Sequence, residues 1–144
     1  MRINQLLGSK AGDVVTVPPA ATVRELVALL AEHNIGALVV SADGSSVDGI
    51  VSERDVVRRL HDDESVLDAE VSTIMSHPVR TCEGSDTVNE LMALMTERRF
   101  RHVPVVQDDR LVGIVSIGDV VKSRMSELEF ERDQLDSYVQ SAQT

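Results

Sequence analysis

Two Ser-x-x-Asp motifs are the first candidates for chemistry in this sequence, Ser52 with Asp55 and Ser116 with Asp119. A serine just before a helix and a carboxylate three residues later accept hydrogen bonds from backbone N–H groups that the helix leaves without partners. The carboxylate also suits the positive end of the helix dipole. Helix capping alone explains both motifs, so a ligand-binding role needs support from elsewhere in the chain.

The segment Arg98 to His102, with the sequence Arg-Arg-Phe-Arg-His, is the densest basic stretch in the chain. Arg98 and Arg99 fall at the predicted end of a helix, where cations offset the negative end of the dipole. This explanation does not extend to Arg101 and His102, because these two residues lead into the next predicted strand.

The net charge and composition exclude two classes of partner. The 144-residue chain has 14 Lys and Arg against 24 Asp and Glu, a formal charge of −10 at pH 7, which repels nucleic acids and acidic membranes. Aromatic residues make up 2% of the chain, so surfaces for base stacking are scarce. The longest apolar stretch, Leu26–Ala31, is far shorter than the roughly 20 residues that span a bilayer, and the N-terminus has no signal-peptide pattern. We expect a cytoplasmic protein without nucleic-acid or membrane partners.

Sequence motifs of catalysis and metal binding are absent. The chain has no GxGxxG, P-loop or GxSxG motif, and its histidines and single cysteine do not have metal-ligand spacing. Cys82 is better explained as a small core residue than as a nucleophile. We therefore expect no enzymatic activity, no catalytic residue, no metal site and no required cofactor.

The chain consists of two copies of one unit. Val14–Gly44 aligns with Val79–Asp109 and Ser46–Val57 with Arg110–Val121, and 18 of the 43 aligned positions are identical across a single-residue gap. Each copy has a β-prone run, an amphipathic helix that begins at a Thr-x-x-Glu capping box, two paired strands and a second helix. A short apolar-faced turn precedes each copy. The predicted strands are Val14–Val17, Ala37–Ser41 and Gly49–Ser52 in the first copy, and Val79–Cys82, His102–Gln107 and Gly113–Ser116 in the second.

This β-α-β-β-α order predicts an α/β fold. A lone unit of about 60 residues would be marginally stable, so we expect the copies to pack about a pseudo-two-fold axis and to form two related clefts. The expected division is a first repeat over residues 1–64, a second over 65–124 and a helical extension over 125–144.

The doubled pattern resembles a pair of CBS domains, also called a Bateman module. The resemblance covers the chain from Ile3 to about Arg124, and its motifs recur in register in both copies. Its carriers are Thr16, Ile35–Val40 and Gly49–Asp55 in the first copy, and Thr81, Phe100–Val106 and Gly113–Asp119 in the second.

The resemblance implies a stand-alone regulatory module that binds an adenosine nucleotide and signals by a conformational change, without turnover. AMP is the first expectation, with ATP, NAD and S-adenosylmethionine as alternatives. In this family the carboxylate of the Ser-x-x-Asp motif accepts the ribose hydroxyls, and the strand after Arg101 faces the phosphate. The residues that the resemblance assigns to nucleotide binding are Thr16, Gly36, Ala37, Leu38, Ser52, Asp55, Thr81, Arg101, His102, Val103, Pro104, Ser116 and Asp119.

The two clefts are expected to differ. The first copy has Gly36 and Ala37 where the second has Arg101 and His102, so only the cleft with the basic pair can balance a phosphate charge. For Leu38 and Val103, plain core packing is at least as good an explanation as contact with a nucleotide. A structural or protein-interaction module with empty clefts is the alternative function.

The chain continues past the repeat without Gly or Pro, which predicts a long amphipathic C-terminal helix. Arg132 interrupts its apolar seam. The helix either folds back on its own module or pairs with a second subunit, and CBS pairs commonly form disc-like homodimers, so we expect a homodimer that reports to an unidentified effector protein. The apolar positions, with an a/d-like spacing, are Val121, Met125, Leu128, Leu135 and Val139.

Overall fold

Each repeat folds as a three-stranded sheet packed against helices. The computed structural model describes residues 1–8 and 14–142, and the last two positions of the predicted extension, Gln143 and Thr144, lie outside them. The described elements of the first half are α1 (Ile3–Leu7), β1 (Thr16–Val17), α2 (Val23–His33), β2 (Ala37–Val40), β3 (Gly49–Ser52) and α3 (Glu53–Asp62). Two 3-10 turns, Glu64–Asp68 and Val71–Thr73, lead to β4 (Cys82–Glu83), α4 (Val88–Arg98), β5 (His102–Gln107), β6 (Arg110–Ser116) and α5 (Ile117–Ala142).

The sheets have the same topology in both halves, β1-β2-β3 and β4-β5-β6. In each, the short first strand runs parallel to the middle strand, which pairs antiparallel with the third. The predicted α/β fold of tandem repeats about a pseudo-two-fold axis is therefore confirmed, together with the long C-terminal helix.

Several strand limits differ from the predicted ones. The parallel pairing of β4 involves only Cys82 and Glu83, so most of the predicted run from Val79 lies before the strand. Strand β6 begins three residues earlier than predicted, because a two-residue turn joins it directly to β5. Both turn residues, Asp108 and Asp109, have positive φ angles, as such tight hairpin turns require.

Capping boxes begin the helices of the repeat where the sequence predicts them. The side chain of Thr22 accepts a hydrogen bond from the backbone of Glu25, and Thr87 does the same for Glu90. At the other end of these helices, Asn34 and Arg99 adopt the left-handed conformation and turn the chain into the next strand.

The two cores exchange their entry segments. Ile3 and Leu7 of α1 pack in the core of the second half with Val103. Val71, in the second 3-10 turn, and Ile74, just after it, pack in the core of the first half. An equivalent backbone hydrogen bond holds each entry segment in place. The N–H of Val88 donates to the carbonyl oxygen of Met1 at 3.0 Å, and the N–H of Val23 donates to that of Ala69 at 2.9 Å. Each half therefore contributes residues to the hydrophobic core of the other. The expected boundary between the repeats, at residues 64 and 65, stays a prediction.

Helix α5 joins the last helix of the repeat to the C-terminal extension without a break. Its first turns contact the module through the buried Val120, and every described residue from Leu128 onward is exposed. No helix within 1–8 and 14–142 combines the length and the apolar character that crossing a membrane requires.

Candidate functional site

The first cleft, a cavity of about 470 Å³, lies between residues 34–39 of the first half and the start of α5. Ser116 and Asp119 stand at this helix start. The cavity is mostly apolar, and its size falls in the range of roughly 300 to 1,000 Å³ that is typical of small-molecule pockets. Its other lining residues are Leu7, Val14, Val15, Asn34, Ile35, Gly36, Ala37, Leu38, Val39, His102, Gly113 and Ile114.

The second cleft, of about 280 Å³, lies between the start of α3 and residues 99–102 of the second half. Ser52 and Asp55 stand at this helix start, as Ser116 and Asp119 do in the first cleft. Its other lining residues are Gly36, Ala37, Ile50, Val51, Glu53, Arg54, Ser76, Arg99, Phe100, Arg101 and His102.

Each cleft therefore combines both halves of the chain. Most of the residues assigned to nucleotide binding line one cleft or the other, and Gly36, Ala37 and His102 line both. The remaining four lie elsewhere. Thr16 pairs with Val39 in the sheet, next to the cleft-lining Val15. Val103 and Pro104 are buried in β5, and Thr81 lines a separate small cavity with Arg80 and Cys82.

The two Ser-x-x-Asp motifs have nearly identical geometry. In α3, Oδ2 of Asp55 accepts from the backbone N–H of Ser52 at 2.9 Å and from its hydroxyl at 3.0 Å, and the backbone N–H of Asp55 donates to Oγ of Ser52 at 3.2 Å. The corresponding distances between Ser116 and Asp119 are 2.9, 2.9 and 3.2 Å. Both motifs therefore cap their helices, and in each the two hydrogen bonds that the serine donates are accepted by Oδ2 of the aspartate.

The charges that surround these motifs are not alike. Arg54, Arg99 and Arg101 line the second cleft, together with the carboxylates of Glu53 and Asp55. Among the described residues that line the first cleft, Asp119 is the one Asp, Glu, Lys or Arg. Only the second cleft can therefore offset the charge of a phosphate group.

His102 lies on the boundary between the clefts and lines both of them. Burial lowers the pKa of its imidazole below the usual 6.5, against the opposing effects of the carboxylates of Asp119 and Glu53, while the charge of Arg101 lowers it further. The lowered pKa favours the neutral imidazole at pH 7, in which one ring nitrogen is a donor and the other an acceptor.

The residues that sequence reasoning missed come mainly from the edges of the matched motifs. The sequence predicts Arg99 only as a residue at the end of α4, but it lines the second cleft as well as capping the helix. Arg54 is not among the predicted binding residues, but it lines the second cleft. Its counterpart in the second copy is Gly118, a difference that the alignment of the two copies shows. The apolar side chains of Val14 and Val15 carried no such signal.

No group of three His, Cys, Asp or Glu side chains in the described part of the chain is arranged to hold a metal ion. Cys82 is buried, and burial together with the charge of Asp86 raises its pKa to about 12, so its thiol stays protonated at neutral pH.

Comparisons with known proteins agree with this architecture. A plant relative, the mitochondrial CBS domain-containing protein CBSX3 of Arabidopsis thaliana, is 37% identical over 83% of this chain, and the chain spans 60% of that protein's length. Among solved structures, the CBS-domain containing protein ATU1752 of Agrobacterium tumefaciens is 43% identical, with a TM-score of 0.81 over 86% of this chain and 99% of the other.

A third similar structure, that of CBSX2 in complex with AMP, is 27% identical, with a TM-score of 0.68 over 79% of this chain and 89% of the other. The family model of the CBS domain matches the sequence twice, over residues 9–62 and 71–126. These two matches cover most of both repeats, and the chain belongs to the CBS domain family as a tandem pair.

Proposed function

We propose that this chain is a regulatory module that binds an adenosine nucleotide, with AMP as the first candidate, and reports its level through a conformational change. The observation that carries the proposal is the pairing, in each cleft, of a helix-capping Ser-x-x-Asp motif with residues from the opposite half. A ligand in such a cleft contacts both halves at once, so its binding favours one arrangement of the halves over others.

The chemistry of the motif supports a ribose ligand. The hydrogen bonds of the capping box use Oδ2 of Asp55. A carboxylate has lone pairs on both oxygens, so it can also accept hydrogen bonds from hydroxyl groups such as those of ribose. The neighbouring helix start attracts anionic groups. CBSX2, which is similar in fold and 27% identical, was solved with AMP, and this supports the same class of ligand here.

The two clefts differ in charge and in volume, and therefore in the ligand that each one suits. The first cleft, larger and mostly apolar, suits an adenine base and an uncharged ribose. The second cleft has three arginines against two carboxylates, so it suits the phosphate of AMP or ATP. We expect AMP to prefer the second cleft and adenosine to prefer the first. We propose that each ligand is bound and released without being chemically changed.

A second copy of the chain or an effector protein would receive the signal. Asp119 lies in the first turn of α5, so a ligand in the first cleft touches the helix that extends out of the module. A change in that first turn is transmitted along a continuous helix to the exposed extension.

Isothermal titration calorimetry of the ligand-free protein with AMP, ADP, ATP, NAD and S-adenosylmethionine tests the proposal. We expect AMP to bind, with adenosine as the probe of the first cleft and GMP as the control for base selectivity. AMP should also raise the melting temperature as its concentration rises, because it binds only the folded state. No heat and no thermal shift at millimolar ligand would reject nucleotide sensing in favour of a structural module with empty clefts.

A further inference from the structure

The two clefts share part of their walls. Gly36 and Ala37, where the chain enters β2, line both cavities, and so does His102 at the start of β5. Glycine and alanine have little or no side chain, so the imidazole of His102 is the one polar side chain in this set of three. A ligand in either cleft can therefore lie against the same imidazole.

The backbone holds His102 at this boundary. His102 pairs with Ser116 in the antiparallel ladder of β5 and β6, and the backbone N–H of Ile117 donates to the carbonyl oxygen of Arg101 at 2.8 Å. Ser116 lines the first cleft, whereas Arg101 lines the second. The start of β5 thus keeps the imidazole beside the helix start of the first cleft and one residue from an arginine of the second.

Each cleft places a carboxylate near the imidazole. Asp119, at the start of α5, lines the first cleft, and Glu53, at the start of α3, lines the second. Glu53 and His102 lie against the same glycine, because a Cβ built on Gly36 would be 3.5 Å from Oε1 of Glu53 and 3.9 Å from Cε1 of His102. The charges that act on the imidazole are those of Asp119, Glu53 and, on its own strand, Arg101. Its charge state therefore depends on both clefts.

The proposed ligands make opposite demands on this side chain. A phosphate in the second cleft adds negative charge beside the imidazole and favours its protonated form. An uncharged nucleoside in the first cleft removes water from the imidazole, and its ribose hydroxyls donate to the carboxylate of Asp119, which weakens the attraction of that carboxylate for a positive charge. The nucleoside therefore favours the neutral form, which the lowered pKa of His102 already favours in the empty protein.

We propose that His102 couples the two clefts, so that a phosphate ligand in the second cleft weakens the binding of an uncharged nucleoside in the first, and the reverse. The inference rests on the proposed function, because it requires that each cleft binds its proposed ligand. The two effects must be equal in size, since a coupling free energy between two sites is reciprocal. The chain then responds to the ratio of nucleoside to nucleotide rather than to either ligand alone.

Calorimetry of the natural protein tests the coupling. Adenosine is the probe of the first cleft, and ribose 5-phosphate, which lacks the base of AMP, is the probe of the second. We expect the dissociation constant of adenosine to rise about threefold at pH 6.5 when ribose 5-phosphate saturates the second cleft. At pH 8.5, about two units above the ordinary pKa of a histidine, the imidazole should be neutral with either ligand, so the antagonism should disappear.

Two variants separate this coupling from other causes. His102→Ala introduces the residue that the first copy has at this position, Ala37, and it should abolish the antagonism while both probes still bind. His61→Ala, which removes an exposed histidine outside both clefts, is the matched control and should keep the antagonism. The melting temperature shows whether either variant has lost its fold.

A third variant tests for competition in the first cleft itself. Arg54→Ala with Arg99→Asn removes two arginines of the second cleft and leaves the residues shared by both clefts unchanged. Ribose 5-phosphate, at the concentration used with the natural protein, should then leave adenosine binding unaffected. If it still weakens adenosine binding threefold, the two probes compete for one cleft, and the coupling is overturned.

Nuclear magnetic resonance follows the imidazole directly. The signal of His102 is identified as the one that the His102→Ala variant lacks. Ribose 5-phosphate alone should raise the pKa of His102, and adenosine alone should lower it, so this measurement does not need both ligands at once.

Each contrary outcome has a distinct meaning. If both probes bind and neither changes the affinity of the other, or if the antagonism persists in His102→Ala, the coupling is overturned and the proposed sensor stands. Shifts of the same sign with the two probes in the resonance experiment also overturn the coupling. If neither probe binds, the proposed function fails, and the coupling fails with it.

Discussion

The two clefts share the same helix-capping motif and differ in the charged side chains around it. The capping boxes of Ser52 with Asp55 and of Ser116 with Asp119 agree to within 0.1 Å in the three hydrogen bonds that form them. By contrast, the three arginines of the second cleft are replaced at the equivalent positions of the repeat. Arg54, Arg99 and Arg101 correspond to Gly118, Asn34 and Gly36.

The comparison separates what folding requires from what a ligand would require. A helix start needs a cap in either half, so both halves keep one. Exposed arginines contribute little to folding, so the three in one cleft, with none at the matching positions of the other, support the proposal that the clefts take different ligands. The repeat thus provides its own control, because residues of one half can be transferred to the other.

The largest effect is expected from such a transfer. The double variant Arg99→Asn and Arg101→Gly gives the second cleft the residues of the first, and it should weaken AMP binding about 100-fold, since charge-assisted hydrogen bonds to the phosphate are lost. Adenosine binding should not change. Asn tolerates the left-handed conformation of residue 99, as Asn34 shows, so the fold should be kept.

Calorimetry with AMP and adenosine measures both affinities. Arg98→Ala is the control, because Arg98 precedes the cleft and does not line it. Equal losses of AMP affinity in the control and in the double variant would show a general effect of net charge and would remove the distinction between the clefts.

The sequence alone predicts the local parts of this arrangement. The capping boxes, the order of helices and strands along the chain and the asymmetry between Gly36 and Arg101 follow from residue types and from the alignment of the copies. These features depend on neighbours within a few positions, and for that reason a pattern can reveal them.

The parts that the sequence did not predict depend on contacts between the halves. The crossing of α1 into the second core rests on close approaches, such as that of Leu7 to Gly113, where an added Cβ would lie 2.9 Å from a leucine methyl. The inclusion of Arg99 in a cleft depends on the position of the other half against it. Long-range packing of this kind leaves no periodic signal in a single sequence.

A smaller effect should separate capping from ligand binding in the first cleft. Asp119→Ala removes a carboxylate that caps α5 and lines the cleft, and it should weaken adenosine binding about tenfold and lower the free energy of unfolding by about 1 kcal/mol. Glu25→Ala is the matched control, since Glu25 forms the same box with Thr22 outside both clefts. It should reproduce the loss of stability and leave the affinity unchanged.

Calorimetry and urea unfolding measure the two quantities for each variant. If Asp119→Ala loses stability but no affinity, then Asp119 is a cap alone, and the similarity of the two motifs carries no functional meaning.

The shared His102 should produce a still smaller, pH-dependent effect. Because burial lowers its pKa, the unfolded state binds the proton more readily, and the free energy of unfolding falls as pH drops below 6.5. A phosphate in the second cleft favours the charged imidazole, so AMP affinity should rise roughly threefold as pH falls from 7.5 toward the lowered pKa. Adenosine has no such charge and should show no rise.

The variant His102→Gln keeps a hydrogen-bonding side chain that does not titrate. The pH dependence of its AMP affinity therefore measures the contribution of the phosphate's own ionisation, which is subtracted from that of the natural protein. Calorimetry in two buffers of different ionisation heat measures the proton uptake. Equal uptake in the variant and in the natural protein would show that His102 does not sense the ligand of either cleft.

The smallest effect is expected at a loop that only the first half has. Where the second half makes a two-residue turn at Asp108 and Asp109, the first half forms a longer loop in which Asp43 accepts hydrogen bonds from the backbone N–H groups of Ser46 and Ser45, each at 2.8 Å. These bonds lower the pKa of Asp43 from 3.8 to about 2. The loop reaches the other half, since the backbone N–H of Leu111 donates to the oxygen of Ser45 at 2.8 Å.

A carboxylate with a lowered pKa stabilises the folded state above pH 3.8, and this contribution disappears as pH falls toward 2. Asp43→Asn keeps an acceptor that does not titrate, so its urea midpoint should fall slightly less between pH 5 and pH 2.5 than that of the natural protein. The difference should be small, because solvent screens the exposed carboxylate. Identical acid sensitivity in the two proteins would mean that the loop, unlike the clefts, differs between the halves without an energetic consequence.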